Sequence, residues 1–162
     1  MIRLVDFNHL PEADAERELL RCCGSRRWAK ETARARPFPK MSALLDRGDQ
    51  VWESLSHEDW LEAFGHHPRI GEQGLREKWV QEEQKGIEGI SEELLQGLLE
   101  GNRLYESRFN HIFLVCATGK SAKEMLTILH QRLDNDPVTE LKIAAAEQAK
   151  ITRLRLQKDL TE

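Results

Sequence analysis

Apolar positions along this chain recur mostly at three- and four-residue intervals, the period of an amphipathic helix, and caps or breakers separate the runs. Pro11 opens an acidic first turn, and Leu19, Leu20, Cys22 and Cys23 give that segment an apolar side before Gly24 stops it. Ser25 caps a second helix through Trp28 and Ala29 that runs on to the breakers Pro37 and Pro39. A third carries Met41, Leu44, Leu45, Val51, Trp52 and Leu55, with a break or irregularity expected near Gly48. Ser56 and Asp59 imitate a capping box for a fourth, which Gly65 would end in a left-handed cap.

Leu75 to Gln84 reads as a further helix, with Trp79 and Glu83 on one face because they are four apart. Lys85 to Ile90 is a loop, and Ser91-Glu92-Glu93 starts a long helix carrying Leu94, Leu95, Leu98, Leu104, Tyr105, Phe109, Ile112 and Phe113. Phe113-Leu114-Val115-Cys116 suits a buried strand equally by composition; helix is favoured, because no other segment reads as a strand that could pair with it. Ser121 and Glu124 form a second capping box, and Asp136-Pro137 begins the last helix. There Leu141, Ala144, Ala145 and Ile151 make an apolar stripe, interrupted by Gln148, that one more turn carries to Arg155. The pattern predicts an all-α protein, a single-domain bundle of about eight helices over residues 1–162.

At 162 residues the chain can bury a core without metal or disulfide support. A net charge of −4 spread over both signs provides no basic face for nucleic acid. No apolar run reaches spanning length, so no membrane segment is expected, and the N-terminal residues lack the apolar stretch of a signal peptide. Three cysteines, two of them adjacent, fit a reducing compartment, and the C-terminus carries no peroxisomal tripeptide; a cytoplasmic location is expected.

Unlike chemistry concentrates in His66-His67-Pro68-Arg69-Ile70-Gly71-Glu72, just past a helix end. Pro68 pushes His67 toward extended dihedrals, which fixes a proton-handling ring in a loop followed by a cation and a glycine. Residue types alone leave open whether His67 catalyses or merely caps carbonyls. Arg155 on an inward stripe needs a partner, or else its stem only covers the core edge, while Arg153 falls on a more polar side. Glu83 carries the same ambiguity as any helical glutamate. His66 and His67 are neighbours instead of a helical turn apart, and no HExxH or paired-cysteine pattern occurs, so no metal site is expected. Gly119-Lys120-Ser121 lacks the first glycine of a phosphate loop.

The run Arg36-Pro37-Phe38, then Asp59-Trp60-Leu61-Glu62-Ala63-Phe64 leading into His67-Pro68-Arg69-Ile70-Gly71-Glu72, resembles the ureidoimidazoline decarboxylase family of purine catabolism. Glu83-Gln84-Lys85-Gly86, Phe113-Leu114-Val115-Cys116-Ala117, Arg132-Leu133 and Ile151-Thr152-Arg153-Leu154-Arg155-Leu156 are similar to it as well, in order along nearly the whole chain.

The resemblance implies an all-helical, cofactor-free carboxy-lyase that converts 2-oxo-4-hydroxy-4-carboxy-5-ureidoimidazoline (OHCU) to S-allantoin and carbon dioxide in urate breakdown. By position it makes His67 the catalytic histidine and Glu83 its acidic partner. Pro68, Gln84, Phe113, the backbone around Ala117, and Arg155 become substrate contacts. It also allows a homodimer and a functional link to the hydroxyisourate hydrolase acting upstream. One departure is Val80, which stands where the family often has serine and puts one polar substrate contact in doubt. Readings from other classes are a helical interaction module whose His-Pro turn is structural, and a metal-dependent hydrolase.

Overall fold

Four serines each start a helix for the same local reason: Ser25, Ser56, Ser91 and Ser121 accept the backbone N–H three residues on, which satisfies one of the donors that a helix start leaves unpaired. At Ser56 and Ser121 the box closes, with Asp59 and Glu124 reaching back to the serine's own N–H. The computed structural model describes residues 1–69 and 91–162. Among these residues the order is β1 (Ile2–Arg3), α1 (Leu4–His9), α2 (Glu12–Cys22), α3 (Arg26–Arg34), α4 (Met41–Ser54), α5 (His57–Phe64), α6 (Glu92–Phe109), α7 (Ala122–Leu133), α8 (Pro137–Asp159) and β2 (Leu160–Thr161). The fold is predominantly α, as expected, and none of these helices is long and apolar enough to cross a membrane. The helix expected over Leu75–Gln84 and the loop Lys85–Ile90 lie outside the described residues.

The chain forms two compact units, Met1–His66 with Ala145–Glu162, and His67–Ala144. In the first, α3 packs on α2 and α4. Trp28 of α3 is completely buried, and its indole N–H donates to the Gly48 carbonyl at 2.9 Å. Gly48 therefore marks no break: α4 runs unbroken, and the missing side chain makes room for the indole, whose Cζ2 would lie 3.3 Å from a Cβ there. Trp52 donates to the Ala145 carbonyl at 2.9 Å, which ties α4 to the C-terminal part of α8. The strands β1 and β2 pair in parallel, Ile2 with Leu160 and Arg3 with Thr161; two residues each is too short to register as a strand pattern in the sequence.

In the second unit α6 packs on α7 around Leu98, Tyr105, Phe109, Met125 and Leu129. Gly101 sits where these helices approach, and a Cβ there would lie 3.2 Å from the Leu129 Cγ and closer still to its Cδ2. Gly101→Ala is expected to cost roughly 1–3 kcal/mol by overpacking, despite alanine's better helix propensity. Thermal unfolding followed at 222 nm checks it, and an unchanged or raised midpoint would mean that Leu129 yields freely.

Three further expectations are corrected here. The long helix stops at Phe109, because Asn110 takes the left-handed conformation (φ 59°) and returns its N–H to Glu106. Phe113–Cys116 is consequently neither helix nor strand but a buried run of irregular backbone. Leu104 belongs to the surface, being 44% exposed. Gly65 ends α5 with ordinary right-handed angles (φ −63°, ψ −14°) instead of a left-handed cap.

Candidate functional site

The turn that carries His67 begins at the capped helix α5. Glu62 on that helix accepts from the Arg26 backbone at 2.6 Å and from its guanidinium at 2.8 Å, and these bonds, the side-chain one foremost, hold the carboxyl below its usual range. Past Gly65, the His66 ring rests on Gly24: a Cβ at Gly24 would meet its Cβ, Cγ and Cδ2 at 2.5 to 2.7 Å. The glycine at position 24 is thus a seat for the residue before His67, a second use for what reads in sequence as a helix stop. His67 is half-buried, and Pro68 and Arg69 are exposed. Arg69 Nε donates to Glu106 of α6 at 2.6 Å, which anchors the far side of the turn within its own unit.

Phe113 and Ala117 lie on the irregular segment after α6. Without a β ladder its carbonyls find cations: Arg132 Nη1 donates to the Leu114 carbonyl at 2.6 Å and Lys120 Nζ to that of Cys116 at 2.8 Å. The Phe113 ring is enclosed, 1% exposed, with the Arg132 guanidinium 4.7 Å from its centroid, whereas Ala117 is half-buried. Behind the segment lies a buried polar network. Glu140, with no exposed surface, takes Arg132 Nε at 2.7 Å, the Tyr105 hydroxyl through a very short bond, and Asn135 at 3.0 Å. Burial foremost, then the bond to Glu140, pushes the Tyr105 phenol far up, so it stays a donor.

Sequence reasoning missed this network. Tyr105 counted there only as a member of an apolar stripe, and Glu140 was not singled out. A usable signal existed, since a tyrosine in a core stripe requires a partner for its hydroxyl.

Nearby, burial holds the His111 imidazole below its ordinary value, against smaller opposing pulls from the Ile112 carbonyl and Glu140. Its stabilising contribution is therefore present above the unfolded value of about 6.5 and is lost as pH falls through the lower folded one. The melting temperature of the parent is expected to drop more than that of His111→Gln between about pH 7.5 and 5. An equal drop in both proteins would contradict the buried, neutral assignment.

In the other unit, Arg155 is half-buried at the margin of a line formed by Ala145, Gln148, Thr152 and Leu156, so it flanks the buried stripe and does not lie within it. Its Nη1 makes a long bond, 3.4 Å, to the Cys22 carbonyl, and it has no ion-pair partner among the described residues. Arg153 differs, since Asp49 holds it at 2.5 Å and Asp46 at 3.6 Å. Burial pushes the thiols of Cys22 and Cys23 up, to about 12 and about 11, so neither is a thiolate nucleophile at neutral pH. Among the described residues no three His, Cys, Asp or Glu side chains converge in a way that would hold a metal. Glu83, Gln84 and Val80 lie outside the described residues.

A family model described as OHCU decarboxylase matches residues 8–157. The uric acid degradation bifunctional protein TTL of Arabidopsis thaliana is 38% identical over 144 residues, which make up 85% of this chain and 44% of that protein. The chain spans less than half the length of the curated relatives it matches. A crystal structure of an OHCU decarboxylase in the presence of (S)-allantoin superposes with a TM-score of 0.77 at 37% identity, covering 87% of this chain and 95% of that one. An (S)-allantoin synthase structure superposes equally well, TM-score 0.77, over 99% of this chain and 54% of that one; at 16% identity it speaks to the fold alone.

Proposed function

Because this chain belongs to the OHCU decarboxylase family, we propose that it converts 2-oxo-4-hydroxy-4-carboxy-5-ureidoimidazoline to (S)-allantoin and carbon dioxide without a cofactor. The observation that carries the reading is the family match, which runs through residues 8–157 and so favours one functional domain over the whole chain.

The reaction suits the residue types. The bond from ring carbon 4 to its carboxylate breaks, its electron pair forms a double bond between carbons 4 and 5, and the pair of the former carbon–nitrogen double bond goes to the ring nitrogen, which takes up a proton from solvent. The 4-hydroxyl then gives up its proton as a carbonyl forms, and carbon 5 gains one and becomes the stereocentre. The protein need only manage protons and hold an anion. His67 is the acid/base, since imidazole exchanges protons near neutrality. Glu83 orients it or holds the ureido N–H groups. Arg155 anchors the anionic part of the substrate through its planar fork, and the lack of a carboxylate partner among the described residues supports that role. Pro68, Gln84, Phe113 and the backbone around Ala117 complete the contacts.

The setting follows from the same reading. Relatives named as bifunctional uric acid degradation proteins support a working link to hydroxyisourate hydrolase upstream. A homodimer is part of the proposal, to be checked by sedimentation equilibrium. A cytoplasmic location is supported by three buried cysteines that form no disulfide.

The test is the ultraviolet or carbon-13 decay of freshly generated substrate. The enzyme accelerates it, whereas an interaction module would leave the spontaneous rate unchanged. Loss of activity on chelation, restored by a divalent metal, would favour a hydrolase instead.

A further inference from the structure

Among the described residues the buried charges are Arg132 and Glu140, and this pair is aimed at a segment that the proposed chemistry uses. Arg132 spends two donors on Glu140 and a third on the Leu114 carbonyl, at 2.6 Å. Its guanidinium also lies 4.7 Å from the Phe113 ring centroid. Arg132 is 6% exposed and Glu140 has no exposed surface, so neither meets a solute itself. What they determine is the path of the irregular backbone between Phe113 and Ala117, which has no β partner among the described residues to set its register. A guanidinium is suited to this, because it is planar and offers donors along two edges. One edge is fixed by Glu140, and the other then points in a single direction.

We infer that Arg132, locked by Glu140, is a positioning residue for the decarboxylation: it places the Phe113–Ala117 backbone against which the substrate is held. The inference rests on the decarboxylase reading and on Phe113 and Ala117 as contacts. It separates Arg132 from a plain core ion pair, which would influence stability and nothing else.

Arg132→Lys retains the charge and one bond to Glu140 but cannot reach the Leu114 carbonyl at the same time. The expected result is a KM raised on the order of tenfold with kcat changed far less, because contacts that hold the substrate loosen while His67 stays in place. Binding of (S)-allantoin, measured by titration calorimetry, weakens by the same factor. Should Arg132→Lys fail to fold, Arg132→Met/Glu140→Leu removes both charges together and provides the same two readouts in a neutral core. The parent is assayed first. A parent that neither accelerates substrate decay nor binds allantoin overturns the decarboxylase reading, and this inference with it. A parent that does both, beside a folded variant whose KM and allantoin affinity stay within about twofold, overturns the inference alone.

Discussion

His67→Asn is expected to slow turnover of OHCU on the order of a hundredfold or more, at least about 2.7 kcal/mol in the barrier, while the helices melt at the parent's temperature. Asparagine keeps a polar group of similar reach but cannot exchange a proton near neutrality. The fold loses little, because the side chain is half-buried in a turn that other bonds hold. Within its own unit, Arg69 with Glu106 secures the turn just past His67. His66, exposed and seated by shape, is expected to tolerate replacement with a much smaller loss. Near-normal turnover by His67→Asn would remove His67 from the chemistry and leave the turn a structural one.

Glu140→Leu will give the largest loss of stability, roughly 3–5 kcal/mol, because it strands the Arg132 guanidinium in the core without its anion. For a chain of this size the melting temperature falls on the order of 10 °C. Arg132→Met/Glu140→Leu should recover part of that loss even though it carries one more substitution, since no uncompensated charge remains. The residual deficit belongs to Tyr105 and Asn135, whose donors lose their acceptor. Thermal unfolding of both variants decides the matter. If the double variant is the less stable, the pair's own attraction exceeds the penalty of burying it.

Features determined within a few residues were legible in the sequence. The serine caps and the two capping boxes depend on side chains three positions apart, and all of them occur where periodicity places them. Some of the features that failed depend on distant partners, whereas the Gly65 cap and the turn at Asn110 are local. Gly48 reads as a weakness in α4 until the Trp28 indole is known to rest on it. Phe113 continues a helical stripe, and only the left-handed turn at Asn110 ends the helix before it. The cations that satisfy the following carbonyls come from Arg132 and Lys120, which no local pattern links to a run of apolar residues.

The candidate site rests on a different kind of reading. The residue pattern draws attention to His67, before a proline, and to Arg155, one turn beyond an apolar stripe, while Arg153 falls on a more polar side; the roles of His67, Glu83 and the substrate contacts came from family resemblance. Periodicity alone cannot tell a catalytic glutamate from a solvated one. Arg132 was visible only as a matching residue; its partner Glu140 is silent in sequence, being one glutamate among many on a helix.

The most direct test of the central claim is the optical activity of the product. A planar intermediate in bulk water takes its proton on either face and gives racemic allantoin, whereas one fixed donor in a walled site exposes a single face. Circular dichroism during turnover of freshly generated OHCU, read before allantoin racemises by itself, is expected to show (S)-allantoin from the native protein and a drift toward racemic product from His67→Asn. Racemic allantoin from the native protein at early times, with or without faster loss of substrate, would contradict the account.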